Sequence, residues 1–229
     1  SLQREALLAN PLLDFDRLLM IRRSADNPGL LHNSHGNDDL PPAAYRNTVV
    51  SLDYRTPGAA PETLYTPPAN VYLGDLDLHW DAERMLFSMP DATGKWNVME
   101  LRLADGHCAP VPLIEDPDIH NYDACYLPDD RIVFTSTAPI VGVPCLGGRS
   151  KVANLYLRGL DGGIRRLTND QDHNWCPAVL NDGRVLYQRW EYADIAHAFT
   201  RLLFSMNPDG SRQMEYYGSN SFWPTAMFF

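Results

Sequence analysis

Three stretches of the chain carry one phrase, a polar turn, then an arginine, then a run of apolar and β-favouring residues. They are Asp81-Ala82-Glu83-Arg84-Met85-Leu86-Phe87-Ser88, Pro128-Asp129-Asp130-Arg131-Ile132-Val133-Phe134-Thr135 and Asn181-Asp182-Gly183-Arg184-Val185-Leu186-Tyr187-Gln188. The arginines fall 47 and then 53 residues apart. Each phrase follows a short apolar run (Leu76 to Trp80, Tyr122 to Leu127, Trp175 to Leu180). Each also precedes another (Asn97 to Leu103, Asn154 to Leu160, Arg201 to Met206). Runs this short, rich in branched and aromatic side chains and bounded by turn residues, read as strands. The third run of each set ends in Asp105-Gly106, Asp161-Gly162 or Asp209-Gly210, and glycine tolerates the positive φ that tight hairpins require. A fourth strand follows, as at Ile164 to Thr168 and Gln213 to Tyr217.

Four antiparallel strands repeated at this period predict an all-β fold, a β-propeller of four-stranded blades. A sandwich would show its strands without a common repeated phrase. The pattern divides the chain into an opening helical segment (1–16), a partial blade with an irregular loop (17–70) and three blades (71–117, 118–170, 171–218). Residues 219–229 supply the first strand of a next or closing blade. Gln3 to Ala9 are good helix formers, stopped by Pro11. Leu18 to Arg23, Thr48 to Tyr54 and Glu62 to Tyr65 supply the second, third and fourth strands of the partial blade. Phe222 to Phe229 matches a first strand, with Pro224 placed 47 residues after Pro177. The ring therefore closes across the two termini, or the protein continues past Phe229 with more blades. Continuation is the expectation, because the chain stops inside an apolar strand. Asn27 to Tyr45 and Pro139 to Arg149, rich in turn residues, read as irregular excursions.

Composition narrows the partners. A net charge of −10 argues against nucleic acid and anionic membranes, which select clustered cations. No run of eighteen apolar residues is present to span a bilayer. The four cysteines, Cys108, Cys125, Cys145 and Cys176, allow three pairings that the sequence does not choose between, and free thiols fit equally. No C-x-x-C-H occurs, so this segment carries no covalent haem motif.

Several longer phrases carry a resemblance. They are Asp75-Leu-Asp-Leu-His79, Asn121-Tyr-Asp-Ala-Cys-Tyr-Leu-Pro128, Asp172-His-Asn-Trp-Cys-Pro177, Arg189-Trp-Glu-Tyr192 and Tyr217-Gly-Ser-Asn-Ser-Phe-Trp-Pro224. Together they resemble the propeller of bacterial proteins related to the alpha subunit of hydrazine synthase, with TolB-like repeats, over essentially the whole chain. The resemblance implies an exported, periplasmic location and further domains of the same polypeptide. In hydrazine synthase itself, haems are attached through C-x-x-C-H beyond the propeller, so the fold and compartment carry over and the reaction does not.

Propeller ligands meet the mouth where the inner strands begin. Tyr122, Trp175 and Phe222 fall at equivalent positions there, preceded by His120-Asn121, His173-Asn174 and Asn220-Ser221. Imidazole, thiolate and carboxylate from adjacent loops suit zinc or a similar transition ion, which makes His120, Cys125, His173 and Cys176 the candidate metal ligands. Asn121, Asp123, Asn174, Arg189 and Glu191 are the candidate ligand-binding residues, Arg189 and Glu191 sharing a strand face. The competing reading gives the same residues to blade-to-blade structure. His79 points into the channel or into its blade. The aromatic series Trp80, Trp175, Trp190, Tyr192, Phe222 and Trp223 fills the seams between blades or forms a stacking surface. No nucleophile elbow, phosphate loop or H-E-x-x-H is present, so no catalytic residue is named. Two functions remain: a scaffold binding a partner protein or domain, and a metal-dependent lyase or hydrolase with its site at the mouth.

Overall fold

The computed structural model describes residues 2–29, 35–41, 43–190 and 201–218. A short helix, α1 (Leu2–Leu8), leads into four antiparallel sheets. The first holds β1 (Arg17–Arg22), β2 (Thr48–Asp53) and β3 (Glu62–Tyr65). The second holds β4 (Gly74–Leu78), β5 (Arg84–Pro90), β6 (Trp96–Arg102) and β7 (Cys108–Pro110). The third holds β8 (Asn121–Tyr126), β9 (Ile132–Ser136), β10 (Asn154–Arg158) and β11 (Ile164–Arg166). The fourth holds β12 (Asn174–Val179), β13 (Val185–Trp190), β14 (Arg201–Met206) and β15 (Met214–Tyr217). Every sheet keeps sequence order, so each blade is a four-stranded meander, or three-stranded in the first among the described residues. The expected strand at Phe222 to Phe229 lies outside the described residues.

The repeated phrase is one hairpin built three times. The amides of His79, Leu127 and Leu180 donate to the carbonyls of Arg84, Arg131 and Arg184 at 2.8–2.9 Å. Ala82, Asp130 and Gly183 occupy the left-handed position in each turn, at φ 57°, 68° and 84°. Apolar side chains from consecutive blades fill the seams. Val49, Leu73, Met85 and Phe87 join the first blade to the second. Leu86, Ala124 and Phe134 join the second to the third, and Cys125, Val133, Leu155 and Tyr187 the third to the fourth. Burying such side chains supplies about 1.5–3 kcal/mol each, and the blades hold together through these seams, since sheets in different blades share no ladder.

Candidate site at the propeller mouth

The inner strands β4, β8 and β12 each carry one residue more than the partner strand matches. The register shifts between Gly74 and Asp77, between Tyr122 and Ala124, and between Trp175 and Ala178. At each bulge one residue adopts a positive φ: Asp75 at 56°, Asp123 at 51° and Cys176 at 55°. A bulge re-aims side chains and sharpens the local twist. Here all three bulge residues line a central cavity of about 660 Å³, together with Asp77, Arg23 and Asn37.

The cavity carboxylates also brace the inner strands. Asp123 Oδ2 accepts the Cys176 amide, and Asp77 Oδ2 accepts the Tyr126 amide at 2.8 Å. The Asp123 amide donates to Ser88 Oγ at 2.7 Å. Burial drives the Asp123 carboxyl well above its ordinary range, and the nearby Asp75 carboxylate adds to the rise. Burial likewise raises Asp75, against the hydrogen bonds from Ser88 and Asn37. Asp77 is pushed up to about 6, again by burial, against the amide of Tyr126.

Over this mouth lies residue segment 35–41, part of the excursion between β1 and β2. Asn37 Nδ2 donates to Asp75 Oδ2 at 2.5 Å, Tyr122 Oη to Asp38 Oδ1 at 3.2 Å, and Ser150 Oγ to Asp39 Oδ2 at 2.5 Å. Leu40 of this segment joins Tyr45, Tyr72, Trp96, Tyr122 and Ala153 in one apolar cluster. Gly36 sits so close that a Cβ there would lie 2.2 Å from Tyr122 Oη. The second excursion, between β9 and β10, is an arm closed by bonds from Val143 N to Ser150 O and from Val152 N to Val141 O, both 2.8 Å.

The residues singled out from sequence divide between cavity and seams. Asp123 and Cys176 line the cavity. His120 Nδ1 accepts the Trp96 amide of the preceding blade at 3.2 Å, and its Nε2 lies 3.0 Å from Lys151 Nζ. Burial, reinforced by Lys151, lowers its pKa to about 4. His173 repeats the bond one blade on, its Nδ1 accepting the Ala153 amide at 3.2 Å, while its ring stacks on Trp190 and meets Trp175 edge-on. Cys125 is buried in the apolar seam between the third and fourth blades. Asn121 Nδ2 donates to Ile114 O at 3.0 Å, and Asn174 is fully buried. Arg189 pairs with Asp170 at 2.7 Å, its guanidinium 4.8 Å from the Phe204 ring centre. Glu191, Tyr192, Asn220, Ser221, Phe222 and Trp223 lie outside the described residues.

His79 faces the seam between the second and third blades, where its Nε2 lies 2.6 Å from Asp130 Oδ1 and its Nδ1 2.8 Å from Asp81 Oδ2. No disulfide joins Cys108, Cys125, Cys145 or Cys176 in this structure. Trp80 is 62% exposed, so it stands outside the seams, whereas Trp175 and Trp190 fill one. Among the described residues, no group of three or more His, Cys, Asp or Glu side chains is arranged to hold a metal ion. Sequence reasoning missed Asp75, Asp77, Arg23, Asn37, Asp38 and Asp39. One signal was present: Asp75 and Asp123 precede their blade arginines by nearly the same interval.

Sequence comparison finds no matching family model and no matching curated protein. Solved structures do match. Hydrazine synthase of Kuenenia stuttgartiensis is similar over 88% of this chain and 32% of its own, at 13% identity and a TM-score of 0.69. TolB from Acinetobacter baumannii is similar over 74% of this chain and 37% of its own, at 16% identity and 0.55. An oligogalacturonate lyase in complex with manganese is similar over 88% of this chain and 50% of its own, at 13% identity and 0.52. The chain thus spans a third to a half of the length of these proteins. The likeness establishes a TolB-like propeller fold. No helix among the described residues is long and apolar enough to cross a membrane.

Proposed function

We propose that this chain is the propeller module of an exported protein related to the hydrazine synthase alpha subunit, and that it acts as a binding scaffold. Its mouth face docks a further domain of the same polypeptide or a separate subunit. The arm between β9 and β10 carries this reading. It holds Ile140 and Val141 in solvent, 77% and 45% exposed, on a closed, hydrogen-bonded frame. Ile140 adopts φ 54°, a left-handed conformation that costs a β-branched residue roughly 1–3 kcal/mol. An apolar pair held outward in this way is suited to burial against a protein surface. The kinship with hydrazine synthase is supported by the phrases running the length of the chain and by that protein's presence among the structural neighbours. The second reading, a metal-dependent lyase or hydrolase, draws on Asp123 and Cys176 opening into one cavity and needs ligands beyond those two.

One preparation tests both. The natural-length protein carries a photo-crosslinking amino acid in place of Ile140, and metal per chain is measured on the same sample. Crosslinks into sequence outside the propeller, or into a second subunit, are the expected result. Crosslinks confined to the propeller itself would overturn docking at this face. Stoichiometric metal that vanishes in a folded Asp123→Asn, Cys176→Ala variant would transfer the conclusion to the enzyme reading.

A further inference from the structure

Segment 35–41 is anchored at its polar contacts through carboxylates. Its own Asp38 and Asp39 accept from Tyr122 and Ser150, and its Asn37 donates to the Asp75 carboxylate below. Asp39 Oδ2 also accepts the Gly36 amide at 3.2 Å, holding the turn in shape. These bonds tie a piece of the first blade to β4 of the second blade and to β8 and the arm of the third. Asn37 both belongs to the segment and lines the cavity, so the segment is the cavity's cover.

We propose that residues 35–41 form a proton-latched lid over the central cavity, closed while Asp38 holds a proton and loosened as Asp38 and the acids beneath it ionise.

The charges facing Asp38 favour this. Its own segment contributes Asp39, β8 contributes Tyr122, and the arm contributes Lys151. Beneath Asn37 lie the Asp75 and Asp123 carboxyls and the Arg23 guanidinium. Two cations therefore face four carboxyl groups, and the Lys151 ammonium is already engaged by Asp118 O at 2.9 Å and His120 Nε2 at 3.0 Å. Burial and the Asp39 charge push the Asp38 pKa up to about 7, from 3.8 for the free side chain. The closed lid thus binds a proton more tightly than the open one. Between those two values opening releases a proton, so rising pH favours opening from about 4 to about 7 and adds nothing above. Asp77, with its pKa raised to about 6, charges the same cavity over the same range. Ligand access to the cavity then increases toward neutral pH.

Hydrogen exchange on the whole chain, corrected for the intrinsic pH dependence of exchange, tests the lid. The amides of 36–40 are followed from pH 5 to 8 against those of β8 and β9 as an internal reference. Their opening equilibrium should rise on the order of 100-fold in the wild-type chain, while Asp38→Asn, a neutral near-isostere that still accepts from Tyr122, should lose most of that rise and keep only the smaller part owed to the acids beneath. Protection that ignores pH in the wild type, or falls equally in the variant, would overturn the proposal. If Asp38→Asn disturbs the fold, the β8 and β9 amides report it. Asp39→Asn then decides: the Asp39 charge helps hold the Asp38 pKa up, so removing it should move the opening profile to lower pH, and an unmoved profile would count against the latch.

Discussion

The two ends of this propeller are built by different rules. At the end where β4, β8 and β12 finish, the same turn recurs three times, and the backbone bonds that close it join residues three to five positions apart. Its ion pairs, such as Arg184 with Asp182 at 2.8 Å, sit in solvent. At the mouth the long excursions differ from blade to blade, and the bonds that anchor residues 35–41 join positions 38, 84 and 111 apart. The Asp123 and Asp38 carboxyls there have pKa values raised by burial, whereas Asp182 and Asp129 at the other end are lowered by their arginines. The faithful repeat makes a scaffold, and the departures from it gather buried acids around the central cavity.

That contrast breaks most readily at His173. Replacing it by Ala removes the acceptor of the buried Ala153 amide and the ring packed on Trp175 and Trp190. An unsatisfied amide and a lost aromatic contact together should cost about 3 kcal/mol, or roughly 6–12 °C in thermal midpoint. A loss below about 1 kcal/mol would mean that the mouth histidines do not hold the seam.

Asp123 sharpens the comparison by separating acceptor from charge. Asp123→Ala leaves the Cys176 amide without its partner and should cost about 1–3 kcal/mol in urea unfolding at pH 8. Asp123→Asn keeps an oxygen there while removing a buried charge, so it should recover most of that loss or exceed the wild type. Equal damage from both variants would show that the ionised carboxylate itself is required.

The smallest effect is expected at the opposite end. Asp182→Asn weakens an exposed ion pair and should change stability by no more than about 0.5 kcal/mol. A larger loss would put the repeated turns, rather than the mouth, in charge of stability.

Much of the blade plan was legible from sequence. The Asp-Gly turns appear where expected, with Gly106, Gly162 and Gly210 at φ 70°, 80° and 80°. The strands around them begin and end within about two residues of the expected limits. The site was legible only in part. Blades were aligned by phrase, which placed Cys125 and Cys176 together at the mouth. The extra residue in each inner strand resets the alternation of side chains, so Cys176 enters the cavity while Cys125 turns into an apolar seam.

By itself, then, the sequence determined what depends on neighbours along the chain: hairpin turns, strand lengths, the repeat and hence the propeller. The tertiary structure decided what depends on distant segments meeting. It brought Asp38 and Asp39 of the first blade over Tyr122 and Ser150 of the third, and turned an excursion that read as irregular into the cover of a cavity. No local pattern encodes such an encounter. A carboxylate has the same preferences in solvent as under a lid until burial and the charges around it change them.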